Sequence, residues 1–252
     1  MFDKMNKAKK LISEHKYDKA YVVLKSFHPS ENEMNTYYML LGVSSFELDN
    51  FDEALDAYKS LLSLYNEEES VEQLLGKSEV LYELSLTYFR MYETTKDTVF
   101  LTESIDSCKN AIKLCLGKIS IEKTVGLMTY HKESIEPYFR CFIQLAVLYQ
   151  SSNNEERAIA LLNALKAYCV HNCEPQYLGV IYDELGNTYN LLGDSQIALG
   201  HYTKALAIKT KLGNERSAEY SYRNIARCLA SNPGIMNDKM ERIMGIYGGE
   251  SI

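Results

Sequence analysis

Three groups of residues have types and spacing that chemistry could use. Gly76-Lys77-Ser78 has the ending of a phosphate-cradling loop, in which backbone amides wrap a nucleotide's phosphates and the lysine neutralises them. That loop also needs a glycine five residues before Gly76 and a strand leading into it. Position 71 is Val71, and Val71-Glu72-Gln73-Leu74-Leu75 has the pattern of a helix. Cys169-Val170-His171-Asn172-Cys173 gathers two thiols and an imidazole, yet a structural zinc site takes four ligands in two spaced pairs, and no second pair lies nearby. Carboxylates cluster at Glu67-Glu68-Glu69 and Glu155-Glu156, in turns where they complement the dipole of the helix that follows. Neither a two-histidine metalloprotease pattern nor a nucleophile elbow is present. The sequence therefore predicts no catalytic residue, no metal site and no cofactor: the chain is expected not to be an enzyme.

Composition narrows the classes further. The net charge of −7 over 252 residues opposes nucleic-acid binding, which draws its affinity from neutralising phosphates. The first 25 residues are the exception, with Lys4, Lys7, Lys9, Lys10, Lys16, Lys19 and Lys25 against Asp3, Glu14 and Asp18; they read as a solvated helix face. Met1 to Lys10 has no apolar core of a signal peptide, and no run of about 18 apolar residues exists to span a membrane. A cytoplasmic protein with no membrane or nucleic-acid partner is expected, its six cysteines reduced. With 4 prolines, 13 glycines, 20 tyrosines and no tryptophan, the chain suits an all-helical fold in which tyrosines fill gaps between helices.

The elements that would position any site show in an internal repeat. Gly42 is followed by Ala54 and Tyr58, Ala146 by Ala158 and Leu162, and Gly186 by Ala198 and Tyr202. Each time a small residue is followed twelve positions later by alanine, and four after that by a large residue. Two antiparallel helices approach closely only where both carry small side chains, so these pairs should face each other, with Tyr38, Leu41, Tyr182 and Leu185 filling the space beside them. Gly193 is placed to end a helix in the left-handed conformation, with Asp194 or Ser195 capping the next. Ala8 with Ala20 forms a weaker copy. Ser85 pairs with Ser104 only if about seven residues enter the turn between Met91 and Val99, and Ile225-Ala226 opens a last unit without a convincing partner. The small residues step by 34 from Ala8 to Gly42, 43 to Ser85, 61 to Ala146, then 40 to Gly186 and 40 to Ala226.

This pattern resembles the tetratricopeptide repeat family. The 40-residue steps are similar to the longer repeats of kinesin light chains and bacterial peptide-pheromone receptors. The resemblance implies one domain over residues 1–252, an α-solenoid of about five helical hairpins in a right-handed superhelix. An irregular insertion at 118–134 and a C-terminal capping helix at 236–247 would complete it. The insertion accounts for the 61-residue step and reads equally as a lid, a short hairpin, a self-association element or an inert loop. Pheromone receptors that carry a DNA-binding module place it before the repeats; here the repeats begin at residue 1, so that module is expected to be absent.

The resemblance also implies that the first helix of each hairpin lines a concave groove. It then presents Arg140, Gln144, Asp183, Asn187, Asn190, Tyr220, Arg223, Asn224 and Arg227 as polar contacts and Phe46, Tyr82 and Phe89 as apolar ones. Amides can pair with both sides of an extended peptide backbone, and arginine grips a carboxylate in two places. The family's carboxylate clamp is not matched, because Met5 and Lys9 stand at its first positions. The expected function is a non-catalytic scaffold or adaptor for a protein or peptide. The alternatives are a structural self-assembly module, dimerising through residues 237–247, and a peptide-sensing regulator lacking its own DNA-binding domain.

Overall fold

Small residues twelve positions apart do build the hairpins. The computed structural model describes residues 2–26, 28–65, 71–116, 136–171, 174–235, 240–241, 243 and 245. These form the α-helices α1 (Phe2–Ser13), α2 (Tyr17–Lys25), α3 (Met34–Glu47), α4 (Phe51–Ser63), α5 (Val71–Thr95), α6 (Thr98–Leu116), α7 (Glu136–Ser151), α8 (Glu155–His171), α9 (Pro175–Leu191), α10 (Ser195–Lys211) and α11 (Glu215–Ser231). No strand occurs among the described residues. The insertion at 118–134 lies outside them. Of the segment 236–247 only Met240, Glu241, Ile243 and Gly245 are described, and these are helical.

The chain divides into two compact units. The first is Met1–Ile119 with Glu136–Gln144; the second is Ser120–Ile135 with Leu145–Ile252. In the first unit Ala8, Ala20 and Ala54 are fully buried, and the ring of Tyr58 lies on Gly42, where a β-carbon would stand 2.7 Å from Tyr58 Cζ. In the second, Ala146, Ala158 and Ala198 are fully buried and Tyr202 lies on Gly186 in the same way. Each core is continuous from hairpin to hairpin: Ala54, Tyr58, Leu61, Val80 and Leu84 form one cluster, and Leu199, Tyr202, Ile225 and Leu229 another.

The third hairpin corrects the sequence reading. Residues 91–99 are not an enlarged turn: α5 runs on to Thr95, α6 starts at Thr98, and the extra residues lengthen both helices. Continued helix keeps their backbone groups hydrogen-bonded, which a long loop would not. Ser85 and Ser104 do pair. The Ser85 hydroxyl donates to Ser104 O at 2.9 Å and the Ser104 hydroxyl to Ser85 O at 2.7 Å, so two buried hydroxyls replace the usual glycine–alanine contact.

Five residues with positive φ each lie five positions before a buried alanine: His15 before Ala20, Asp49 before Ala54, Asn153 before Ala158, Gly193 before Ala198 and Gly213 before Ala218; Lys96 lies five before the buried Leu101. The left-handed turn at Gly193 (φ 83°) is as the sequence predicts. Asp194 stands at the cap position but makes no capping hydrogen bond, whereas Asn214 caps α11 by accepting from Ser217 N at 3.1 Å. The partner that α11 lacked in sequence is Met240, which is buried against Ala218, Ile225, Cys228 and Leu229.

Candidate functional site

The two sequence motifs closest to chemistry are structural. Gly76, Lys77 and Ser78 lie inside α5, where the Ser78 hydroxyl donates to Ala111 O at 3.1 Å, and a β-carbon on Gly76 would stand 2.5 Å from the Tyr65 hydroxyl. A helix interior offers no free amides to phosphates. Cys169 is fully buried on α8, its thiol pushed up to about 12 by burial; His171 is exposed, and Cys173 lies outside the described residues. No group of three potential metal ligands occurs among the described residues.

The first unit holds five of the expected contact residues. Phe46 packs edge-on to Phe51 at 6.0 Å and against the core, and Phe89 stacks on Tyr92 at 6.2 Å. Arg140, at the start of α7, is exposed and holds its guanidinium over the Tyr82 ring, 4.8 Å from the centroid. Gln144 is buried, with no partner for its Nε2. Tyr82 and Arg140 share their surroundings with Glu83, and Arg140 with Glu79 as well. Burial, with the Glu79 and Glu47 charges alongside, pushes Glu83 up to about 7, although Arg140 pulls the other way. Tyr58, reaching past Gly42 from α4, lies against the Glu83 carboxyl, and burial raises its phenol.

The second unit holds the other seven. Asp183 is buried and ion-paired to Lys209, whose Nζ also donates to Ser217 O and Ser221 Oγ, each at 3.1 Å. Ser221 Oγ donates to Asp183 Oδ2 at 2.9 Å, and Lys209 stands 5.4 Å from the Tyr220 ring centroid. Asn187 Oδ1 accepts from the Tyr202 hydroxyl at 2.9 Å; its Nδ2 donates to Glu184 Oε2 at 3.2 Å and to the Tyr220 hydroxyl at 3.5 Å. Gln150 Nε2 donates to Thr188 Oγ1 at 2.9 Å and to Glu184 Oε2 at 3.3 Å. Burial raises Glu184 against these amide contacts. Asn190, Tyr220, Arg223 and Arg227 are exposed. Asn224, one helical turn beyond Ser221, is buried with its Nδ2 unpartnered, as is Asp183 Oδ1.

The expected set thus divides between buried, committed groups and open ones. Asp183 and Asn187 tie α9 to α10 and α11. Tyr220, Arg223 and Arg227 are exposed, although Tyr220 accepts from Asn187 and Arg223 lies 3.8 Å from Glu219 one turn back, and Asn224 has a donor to offer. Glu83, Glu184 and Lys209 were not among the sequence candidates. Glu83 and Glu184 stand two residues before the small residues Ser85 and Gly186, as Gln144 and Asn224 do before Ala146 and Ala226. That row of polar residues was the available signal. Lys209 had none, sitting with Lys204 and Lys211 in what reads as a solvated helix end.

Packed hairpins with polar and aromatic residues on their first helices, and no assembled catalytic group among the described residues, define a helical-repeat protein. The tetratricopeptide repeat family model matches residues 37–65. No curated protein matches the sequence. Solved structures share the fold. BtubC (BKLC) from P. vanneervenii is 15% identical with a TM-score of 0.63, covering 99% of this chain and 93% of that one. A kinesin light chain protein with nearly identical TPR-like repeats from Podosopora anserina is 13% identical, with a TM-score of 0.61, 84% and 95% covered. A Rap protein complexed with Competence and Sporulation Factor is 15% identical, with a TM-score of 0.61, 97% and 74% covered. The chain carries a tetratricopeptide repeat and has the fold of the tetratricopeptide-repeat solenoids.

Proposed function

We propose that this chain is a non-catalytic scaffold that binds an extended segment of a protein or peptide along the first helices of its second unit. The observation that carries this reading is Asn224, whose amide nitrogen is buried and unpartnered on the helix that also exposes Tyr220, Arg223 and Arg227. An unsatisfied buried donor calls for a partner, and an accepting peptide carbonyl supplies one. Arg223 and Arg227, a turn apart, then take an acidic side chain or a terminal carboxylate. The Rap relative, whose structure holds Competence and Sporulation Factor, supports the reading by its fold. No described helix is long and apolar enough to cross a membrane, and we place the protein in the cytoplasm. The single-domain organisation over residues 1–252 belongs to the same proposal.

A random-peptide library selected on the wild-type protein supplies the ligand, and fluorescence anisotropy measures its affinity. Asn224→Ala and Arg223→Ala should each weaken binding by about 1–3 kcal/mol. Unchanged affinity in both variants rules the assignment out.

A further inference from the structure

We propose that the recess between α10 and Ile243 of the second unit binds a free amphipathic carboxylate. Its aliphatic chain lies along Leu206, Ala207 and Ile243, and its anionic head meets the Lys211 ammonium. The proposal stands apart from the reading above, which concerns the first helices of the hairpins, so either can fail alone.

The first observation is a cavity of about 510 Å³, within the span of roughly 300–1,000 Å³ that small-molecule sites occupy. Its wall is mostly apolar. Leu206 is buried, Ile243 packs on the core, and Thr203 commits its hydroxyl to Leu199 O. Beside them Ala207 is exposed, and its short side chain leaves open a space that a larger residue would fill. A recess of this kind takes one chain at a time, which favours a single amphiphile over a bilayer surface.

The charge around the cavity is one-sided. Lys204 and Lys211 line it and no carboxylate does, in a chain of net charge −7. The two lysines stand seven residues apart on α10, roughly 10 Å along its axis, with Leu206 and Ala207 between them. They differ in commitment. The Lys204 ammonium lies 5.6 Å from the Tyr182 ring centroid, which leaves its methylene stem to border the apolar strip. Lys211 is exposed and makes no hydrogen bond or ion pair among the described residues. An open cation at one end of an apolar strip selects an anion with a tail: the tail gains burial, and the head finds a counter-charge while still touching water.

Nuclear magnetic resonance of the full chain, labelled at alanine, isoleucine and leucine methyls, tests this. The probe is sodium decanoate below its micellar concentration. Shifts are expected at Leu206, Ala207 and Ile243, with affinity falling about fourfold for each methylene removed on going to octanoate and hexanoate. Decanamide, the neutral counterpart, should bind more weakly. Lys211→Gln should weaken decanoate by about two- to fivefold and leave decanamide unchanged. Ala207→Trp fills the recess from an exposed helix position and should weaken both, with circular dichroism confirming that the helices persist. Shifts centred instead on the exposed Leu191, Leu192 and Ile197 overturn the proposal. So does affinity that ignores chain length, an equal loss of decanamide in Lys211→Gln, or undiminished binding by a folded Ala207→Trp. A contact in the ligand-free protein between the Ala207 methyl and residues 246–252 overturns it too, because the chain would then fill its own recess.

Discussion

The ring of Tyr202 lies on the bare Cα of Gly186, so close that a β-carbon there would stand 2.5 Å from Tyr202 Cε1. Through that gap a side chain of the second helix reaches past the first, and its hydroxyl donates to Asn187 Oδ1 at 2.9 Å. Gly42 and Tyr58 repeat the device in the first unit, bringing a hydroxyl against Glu83. The glycine of the repeat thus does more than allow close packing: it lets the buried layer contribute polar groups to the outer face of the first helices.

Gly186→Ala forces the Tyr202 ring aside and is expected to cost about 1–3 kcal/mol in chemical denaturation. Combined with Tyr202→Leu, which vacates the contested space, it should cost less than the sum of the two single changes. Strict additivity would show that ring and glycine do not press on each other.

The buried Lys209–Asp183 pair makes a second prediction. Lys209→Met leaves an uncompensated carboxylate in the interior and should destabilise by about 3–5 kcal/mol. Lys209→Met with Asp183→Leu removes both charges and should regain most of that loss, read from urea midpoints. A double variant no more stable than the single one counts against the pair as the cause.

Glu83 gives a signed pH dependence. Its folded value near 7 lies above the ordinary carboxyl value of 4.5, so its share of stability is fully present below pH 4.5 and lost as pH rises through 7. Glu83→Gln should raise the thermal midpoint at pH 8 and leave it unchanged at pH 4.5.

His201 lies between Tyr182 and Tyr189, with ring centroids 5.8 and 5.3 Å away, and burial with the Lys204 and Lys166 charges lowers it to about 4. A depressed histidine contributes stability above its ordinary value of 6.5 that is lost as pH falls through 4. His201→Phe should flatten acid unfolding over that window by about 1–2 kcal/mol, after discounting for partial exposure.

The hairpins were legible because close helix approach leaves a mark at fixed spacing: Gly42 with Ala54 and Gly186 with Ala198 can hardly be read otherwise. The continued helices at 91–99 were not, since a break in spacing does not say whether extra residues enter a turn or lengthen what flanks it. Among site residues, Arg223 and Arg227, which the family resemblance sets on an open helix face, are exposed. The commitment of Asp183 was not legible, because its partner Lys209 lies 26 residues away on another helix and arrives only by folding.

That pairing has a consequence for how alike neighbours sort themselves. Hairpins built on one pattern have nearly interchangeable greasy faces, and a chain of them can dock in the wrong order or with a copy's hairpins. Asp183 and Lys209 act as a label because both also bond Ser221 of α11 in the following hairpin: a mismatched neighbour would leave the buried pair without that hydroxyl, so only the correct succession closes without penalty.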